Sequence, residues 1–288
     1  MFNDYRTKFA LVGALGALLL LLTSGRAMTS GAGASSDLPS CERIADFDPN
    51  NFSDSTNIDN EWSPMVPGTQ MILDGVADDA PHSVVSTVTD LTKVINGVRT
   101  VVILETDLSE GEIVESELAF KAQDDDGNVW NLGEYPEEYE DGEFVGAPST
   151  WIAGVEDAEG GLLMQGEPRL GTGYYLQGSV PSIDFLDCAK VLATGEQVCV
   201  PFSCYEDVLV TDERAPLEPP EGHQRKFYAS GVGNIAVGAT GSSGEILELV
   251  DIVQLSSGGL ARANREALRL EKRAYKVSDV YGETPPAE

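Results

Sequence analysis

From residue 69 to residue 255 the chain is punctuated by Gly-containing turns at Asn96-Gly97, Glu110-Gly111, Asp126-Gly127 and Asp141-Gly142, with β-branched and alternating runs between them. Asn-Gly and Asp-Gly between such runs are strong hairpin signals, because a two-residue hairpin turn needs left-handed backbone at its central positions. Runs at 69–73, 83–91, 98–104, 113–122 and 129–132 predict strands that each pair with the next, a meander. A second series follows at 174–177, 185–192, 197–200, 208–212, 225–229, 234–239 and 246–255. The spacing predicts an all-β fold: a curved antiparallel meander sheet or barrel, calycin-like or lipoprotein-carrier-like, closing near Leu255. Residues 148–172 break the rhythm with Pro148, Gly154, Gly160-Gly161, Pro168 and Gly171, and read as an irregular crossover with a helical turn over 155–160.

The two ends depart from this pattern. Arg6 and Lys8 precede an apolar run at 9–22 and then small residues up to Ala32-Gly33-Ala34, which reads as an export signal. The run is shorter than the roughly 20 residues of a membrane-spanning helix, so residues 1–34 are a cleaved signal peptide or an N-terminal membrane tether. Residues 35–61, rich in turn formers, read as an extended arm before a single β domain at 62–258. Beyond Gly258-Gly259, which ends the last strand, residues 259–288 form a C-terminal amphipathic helix and tail. The helix carries Arg262, Arg265, Arg269, Lys272, Arg273 and Lys276. Its apolar stripe of Leu260, Ala263, Ala267, Leu270 and Ala274 predicts docking on the acidic β body.

Charge and cysteine usage narrow the compartment and the partners. A formal charge of -30 argues against nucleic acid, whose phosphates are bound by Lys and Arg clusters. Cys41, Cys188, Cys199 and Cys204 are an even set in an exported chain, which favours disulfides over metal. Of the three connectivities, Cys188 with Cys199 is expected, because Ala193-Thr194-Gly195 between them reads as a hairpin turn; Cys41 then pairs with Cys204.

Several segments also resemble a family of uncharacterised exported bacterial proteins: Phe47-Asp48-Pro49, Ile58-Asp59-Asn60, Pro67-Gly68-Thr69, Ala122 through Trp130, Leu132-Gly133-Glu134-Tyr135, and Tyr228 through Gly233. The resemblance spans roughly residues 46 to 250. It implies an extracytoplasmic setting and supplies no catalytic residues.

Candidate chemistry is sparse. Asp124, Asp126 and Asn128, with Asp125, could hold calcium, the one metal option, but the spacing departs from an EF-hand and a hairpin turn accounts for Asp126-Gly127 without an ion. Glu134, Glu137, Glu138, Glu140, Asp141 and Glu143 could supply paired carboxylates or simply form a solvated loop. His223 lies in the basic stretch Gly222-His223-Gln224-Arg225-Lys226 and reads as a surface residue. Trp130, Trp151, Tyr174 and Tyr175 are the candidate lining of a ligand cavity, with core packing as the plainer reading. The sequence is therefore read as a non-enzymatic exported binding module for a small or lipid-like ligand or an envelope partner, touching membrane only through its first segment and calling for no cofactor. The alternatives are a secreted hydrolase using paired carboxylates and a structural envelope protein.

Overall fold

A computed structural model describes residues 41–217, 222–240 and 244–288; the export segment at 1–34 lies outside them. The elements are β1 (Thr69–Ala77), β2 (Ala80–Ile95), β3 (Val98–Ser109), β4 (Glu112–Gln123), β5 (Val129–Glu140), β6 (Glu143–Gly146), β7 (Trp151–Ile152), β8 (Glu159–Met164), β9 (Tyr175–Val180), β10 (Phe185–Cys199), β11 (Cys204–Ala215), β12 (Gly222–Ala229), β13 (Gly233–Ala239), β14 (Ile246–Gln254), α1 (Ser257–Val277) and α2 (Asp279–Gly282). All fourteen strands join one antiparallel sheet. With β6 and β7 hanging from β5, the other 12 close a ring, each pairing with its neighbour in the chain and β14 returning to β1.

Three of the four turns that predicted the meander have the left-handed pair of a two-residue hairpin; Asp126-Gly127 lies in a longer loop between β4 and β5 where only Gly127 is left-handed, at φ 82°. Asn96 and Gly97 take φ of 47° and 84°, Glu110 and Gly111 52° and 87°, Asp141 and Gly142 50° and 75°. Asp78-Asp79 builds the β1–β2 hairpin the same way, at φ 50° and 66°, without a glycine to announce it.

Three expectations are corrected. The crossover at 148–172 contributes β8 to the ring, and its helical turn is instead a tight turn in which the Ala158 N–H donates to the Val155 carbonyl. Gly160 and Gly161 are not chain breakers there. A Cβ on Gly160 would lie 2.6 Å from the Asn131 carbonyl oxygen and one on Gly161 2.4 Å from that of Leu176, so the close strand approach needs both glycines. The runs at 185–192 and 197–200 are one strand, β10, whose 15 residues absorb Ala193-Thr194-Gly195 as a register irregularity. Cys188 and Cys199 thus share a strand at a separation of roughly 3.3 Å per residue and cannot meet. The disulfides are Cys41–Cys188, which bolts the arm to β10, and Cys199–Cys204, which closes the β10–β11 hairpin. Finally, α1 begins at Ser257, capped by the Ser256 hydroxyl, and Gly258-Gly259 lie in its first turn.

The predicted stripe docks: Ala267, Leu270 and Ala274 are buried against the outer face of the ring, together with Tyr281 of α2. They cover Val98, Val102 and Leu104 of β3, Leu118 and Phe120 of β4, and Leu132 and Tyr135 of β5. A side chain such as Leu270 contributes about 2 kcal/mol by such burial. The arm crosses one end of the ring. Its Asn60 amide donates to the Gly127 and Gln165 carbonyls at 2.8 and 3.1 Å, and the Gly231 N–H reaches the Glu61 carbonyl at 2.7 Å. Beneath it Ile58 packs on inward residues from around the ring, among them Val88, Val101, Ile103, Val129, Met164, Leu209 and Tyr228.

A carboxylate-lined barrel interior as candidate binding site

Strands β3 to β5 reverse the usual sense of alternation. Apolar residues of all three strands face outward under α1, and inward the strands change character along their length: Val101, Ile103, Ala119 and Val129 are apolar under the arm, whereas the positions beyond them are carboxylates. Pairing brings these together in rungs: Asp107 opposite Glu115 opposite Glu138, Glu105 opposite Glu117, and Ala119 opposite Glu134. Opposed side chains start about 5 Å apart at Cβ. In β5 a bulge at Gly133, where β4 advances from Ala119 to Lys121 while β5 moves from Glu134 to Asn131, turns both Asn131 and Glu134 inward. Glu134 accepts from Asn131 Nδ2 at 2.6 Å, from Trp151 Nε1 at 3.0 Å and from Lys121 Nζ at 3.4 Å.

The far wall completes the cluster. Lys226 on β12 bonds Glu213 of β11 at 2.9 Å and feels Glu105 on β3. Around the ring β3 and β12 are separated by β2, β1, β14 and β13, so this coupling crosses the interior. His82 stands 3.7 Å from both Asp107 and Glu245, too far for a hydrogen bond. The Lys226 side chain keeps 18% of its exposure and Glu105 is half-buried, whereas Asp107, Glu115, Glu117, His82 and Glu245 are buried.

The electrostatics follow from carboxylates outnumbering cations. Burial pushes the Glu115 carboxyl well above its ordinary range, and Asp107, Glu134, Glu105 and Glu138 push it in the same direction. Glu117 is raised likewise by burial and by Glu134, Glu105 and Glu115, with Lys121 opposing. Burial raises Glu105 and Asp107, and lifts Glu245 to about 7 against the pull of His82. His82 is raised, by Asp107 first and against burial. Lys226 is raised although burial disfavours its charge, because Glu213, Asp187 and Glu105 outweigh that cost. Among the described residues Glu115 Oε2 has no hydrogen-bond partner, and Glu115 is only 3% exposed.

The candidate lining residues do not share one cavity. Trp151, through its bond to Glu134, and the buried Tyr175, within reach of Glu213 and Tyr228, border the interior cluster. Trp130 sits on the outer face against Phe47 and Phe52 of the arm, beside a cavity of about 230 Å³. The Tyr174 hydroxyl donates to Asp212 on the outer face, with Lys190 and Arg214 over its ring at 4.5 and 4.7 Å. His223 joins it there, Nε2 lying 2.6 Å from Asp212 Oδ1.

In the Asp124 loop, Asp124 Oδ1 accepts the Asp126 and Asn128 N–H groups, and Oδ2 accepts Asn128 Nδ2 and Trp130 Nε1. Asp126 accepts from Asn51, and Asn128 Oδ1 from the Gly166 N–H. Those oxygens tie the turn to the arm and to β8. Among the described residues no group of three or more His, Cys, Asp or Glu converges as a metal site would. The acidic run from Glu134 divides by strand alternation: Glu134 and Glu138 face inward, whereas Glu137 faces outward to Tyr135, Tyr139 and Arg273. Sequence reading missed Glu105, Asp107, Glu115 and Glu117. The available signal was their alternation with Leu104, Leu118 and Phe120, which identifies a face without saying which way it points.

No family model matches the chain, and no curated protein matches it. Two solved structures show some similarity to the chain. One is a protein from Bacteroides fragilis regarded as exported, with a YmcC-like fold: 14% identity, 67% of this chain, 99% of that chain, TM-score 0.38. The other, from Parabacteroides distasonis and regarded as a lipoprotein, is 10% identical over 67% of this chain and 99% of that chain, with a TM-score of 0.36.

Proposed function

We propose that this chain is an extracytoplasmic, non-enzymatic binding module whose barrel interior takes up a cationic guest. The observation that carries the reading is Glu115, a buried carboxylate with an unpartnered oxygen and only carboxylates among its strongest charged neighbours. Such a group is costly to bury unless it is neutralised or paired, and a cation supplies what the protein's own side chains do not. The two disulfides support an oxidising compartment, in keeping with the export-type sequence at 1–34. A lipid-like guest is less well supported, since the apolar half of the interior is filled by side chains and crossed by the arm.

The test is calorimetric titration of the mature protein at pH 8 and low ionic strength with calcium, magnesium, arginine and spermidine. At least one is expected to bind at unit stoichiometry, and Glu115→Gln to weaken it at least about tenfold. No binding by any of the four, or binding indifferent to that substitution, would overturn the reading.

A further inference from the structure

We infer that the guest class is an elongated organic polycation with several amines on an aliphatic chain, rather than a metal ion. The inference rests on the proposed function and deepens it. A hard metal ion needs about six oxygens converging on one point at 2.0–2.6 Å. The interior offers instead a series of rungs: Glu134, then Glu105 with Glu117, then Asp107 with Glu115 and Glu138, with His82 and Glu245 beyond. Alternate residues along a strand are about 6.6 Å apart, so the negative charge is strung out along the strands. Amines separated by short methylene chains match that layout, each meeting a different rung.

The protein's own side chains support the chemistry. Two primary ammonium groups already reach into this cluster, Lys226 against Glu213 and Lys121 against Glu134, at 2.9 and 3.4 Å. Both are the end of an aliphatic chain among carboxylates, the arrangement a polyamine would repeat. Tyr228, Tyr175 and Trp151 supply the bordering apolar surface for methylene groups. The unpartnered acceptor in this pattern is Glu115, whose Oε2 has no donor among the described residues.

The experiment compares spermidine, 1,4-diaminobutane, n-butylamine, calcium and magnesium by calorimetry on the mature protein, at low salt and again at about 0.15 M, where exposed charges are screened. Spermidine is expected to bind tightest, at least about tenfold above n-butylamine and above either metal, and to persist at the higher salt. Glu115→Gln and Glu117→Gln should each weaken it about tenfold or more. Tighter binding of calcium or magnesium that is sensitive to Glu115→Gln would overturn the polyamine class and leave the cation-binding module standing. Binding of nothing would remove both. Spermidine binding that both variants leave unchanged would be adhesion to the acidic exterior and would also overturn the inference.

Discussion

Carboxylates are buried in two places in this molecule, and their surroundings are opposite. Under α1, Glu271 Oε1 accepts from Lys93 at 2.9 Å, the Tyr281 hydroxyl at 3.2 Å and the Ala287 N–H at 2.9 Å. Lys93, with no exposed side chain, spends its other donors on the Tyr275 hydroxyl and the Pro285 carbonyl, and sits over the rings of Tyr281 and Tyr275. Glu137, fully buried nearby, is met by Tyr135, Tyr139 and Arg273. Inside the ring Glu115 and Glu117 face chiefly other carboxylates. The first arrangement is complete and fastens the C-terminal segment to β2 and β5. The second leaves Glu115 Oε2 without a hydrogen-bond partner among the described residues, the observation on which the proposed cation binding rests.

Removing one partner from each site should therefore have opposite consequences. The largest effect is expected from Lys93→Ala, which strands Glu271 in the interface and should cost about 3–5 kcal/mol in urea unfolding. A loss below about 1 kcal/mol would mean that the helix lock is not a closed polar unit.

Next in size is a pH effect from the interior. Glu245 and His82 are both raised in the folded state. Their stabilising contribution is complete below their ordinary values and is lost as pH rises through the folded ones, about 7 for Glu245. Unfolding free energy should thus fall between pH 5 and pH 8, by on the order of 3 kcal/mol for the Glu245 shift. Asp48, Asp125 and Asp212 are lowered and act with opposite sign, but only at pH below this window. Stability that holds level or climbs from pH 5 to 8 would contradict the raised carboxyl of Glu245 and the raised imidazole of His82.

The smallest effect is the most diagnostic. Glu115→Gln should stabilise the guest-free protein at pH 8 by about 1 kcal/mol, because it removes a repelled charge and adds an N–H donor beside Asp107 and Glu138. Most substitutions destabilise, so a gain in melting temperature at pH 8 that shrinks at pH 5 would mark the site as built for something other than stability. A clear loss at both pH values would place Glu115 with the structural carboxylates under the helix.

Much of the framework was legible from short stretches. Asn96-Gly97 and Asp141-Gly142 declare their hairpins because left-handed backbone is a property of two adjacent residues. The stripe through Ala267, Leu270 and Ala274 declares its docking face for a similar reason, the fixed period of a helix. Asp78-Asp79 makes a turn of the same kind with a weaker signal, and Gly160-Gly161 gives the wrong one, since a glycine needed for close strand approach looks in sequence like a glycine that breaks a strand.

By itself, then, the sequence determined the meander of β1 to β5 and the closing of the last strand near Leu255, but not the place of β8 in the ring or the continuity of β10. Tertiary structure alone decided which cysteines meet and which side of β3 to β5 is the inside. Cys188 and Cys199 were separated by the continuity of β10, and Cys41 found Cys188 across 147 residues of chain. Period-two alternation separates Glu115 and Glu117 from Leu118 and Phe120, but it is symmetric about the sheet. A helix some 150 residues later covers the apolar face, and that contact turns the carboxylates inward.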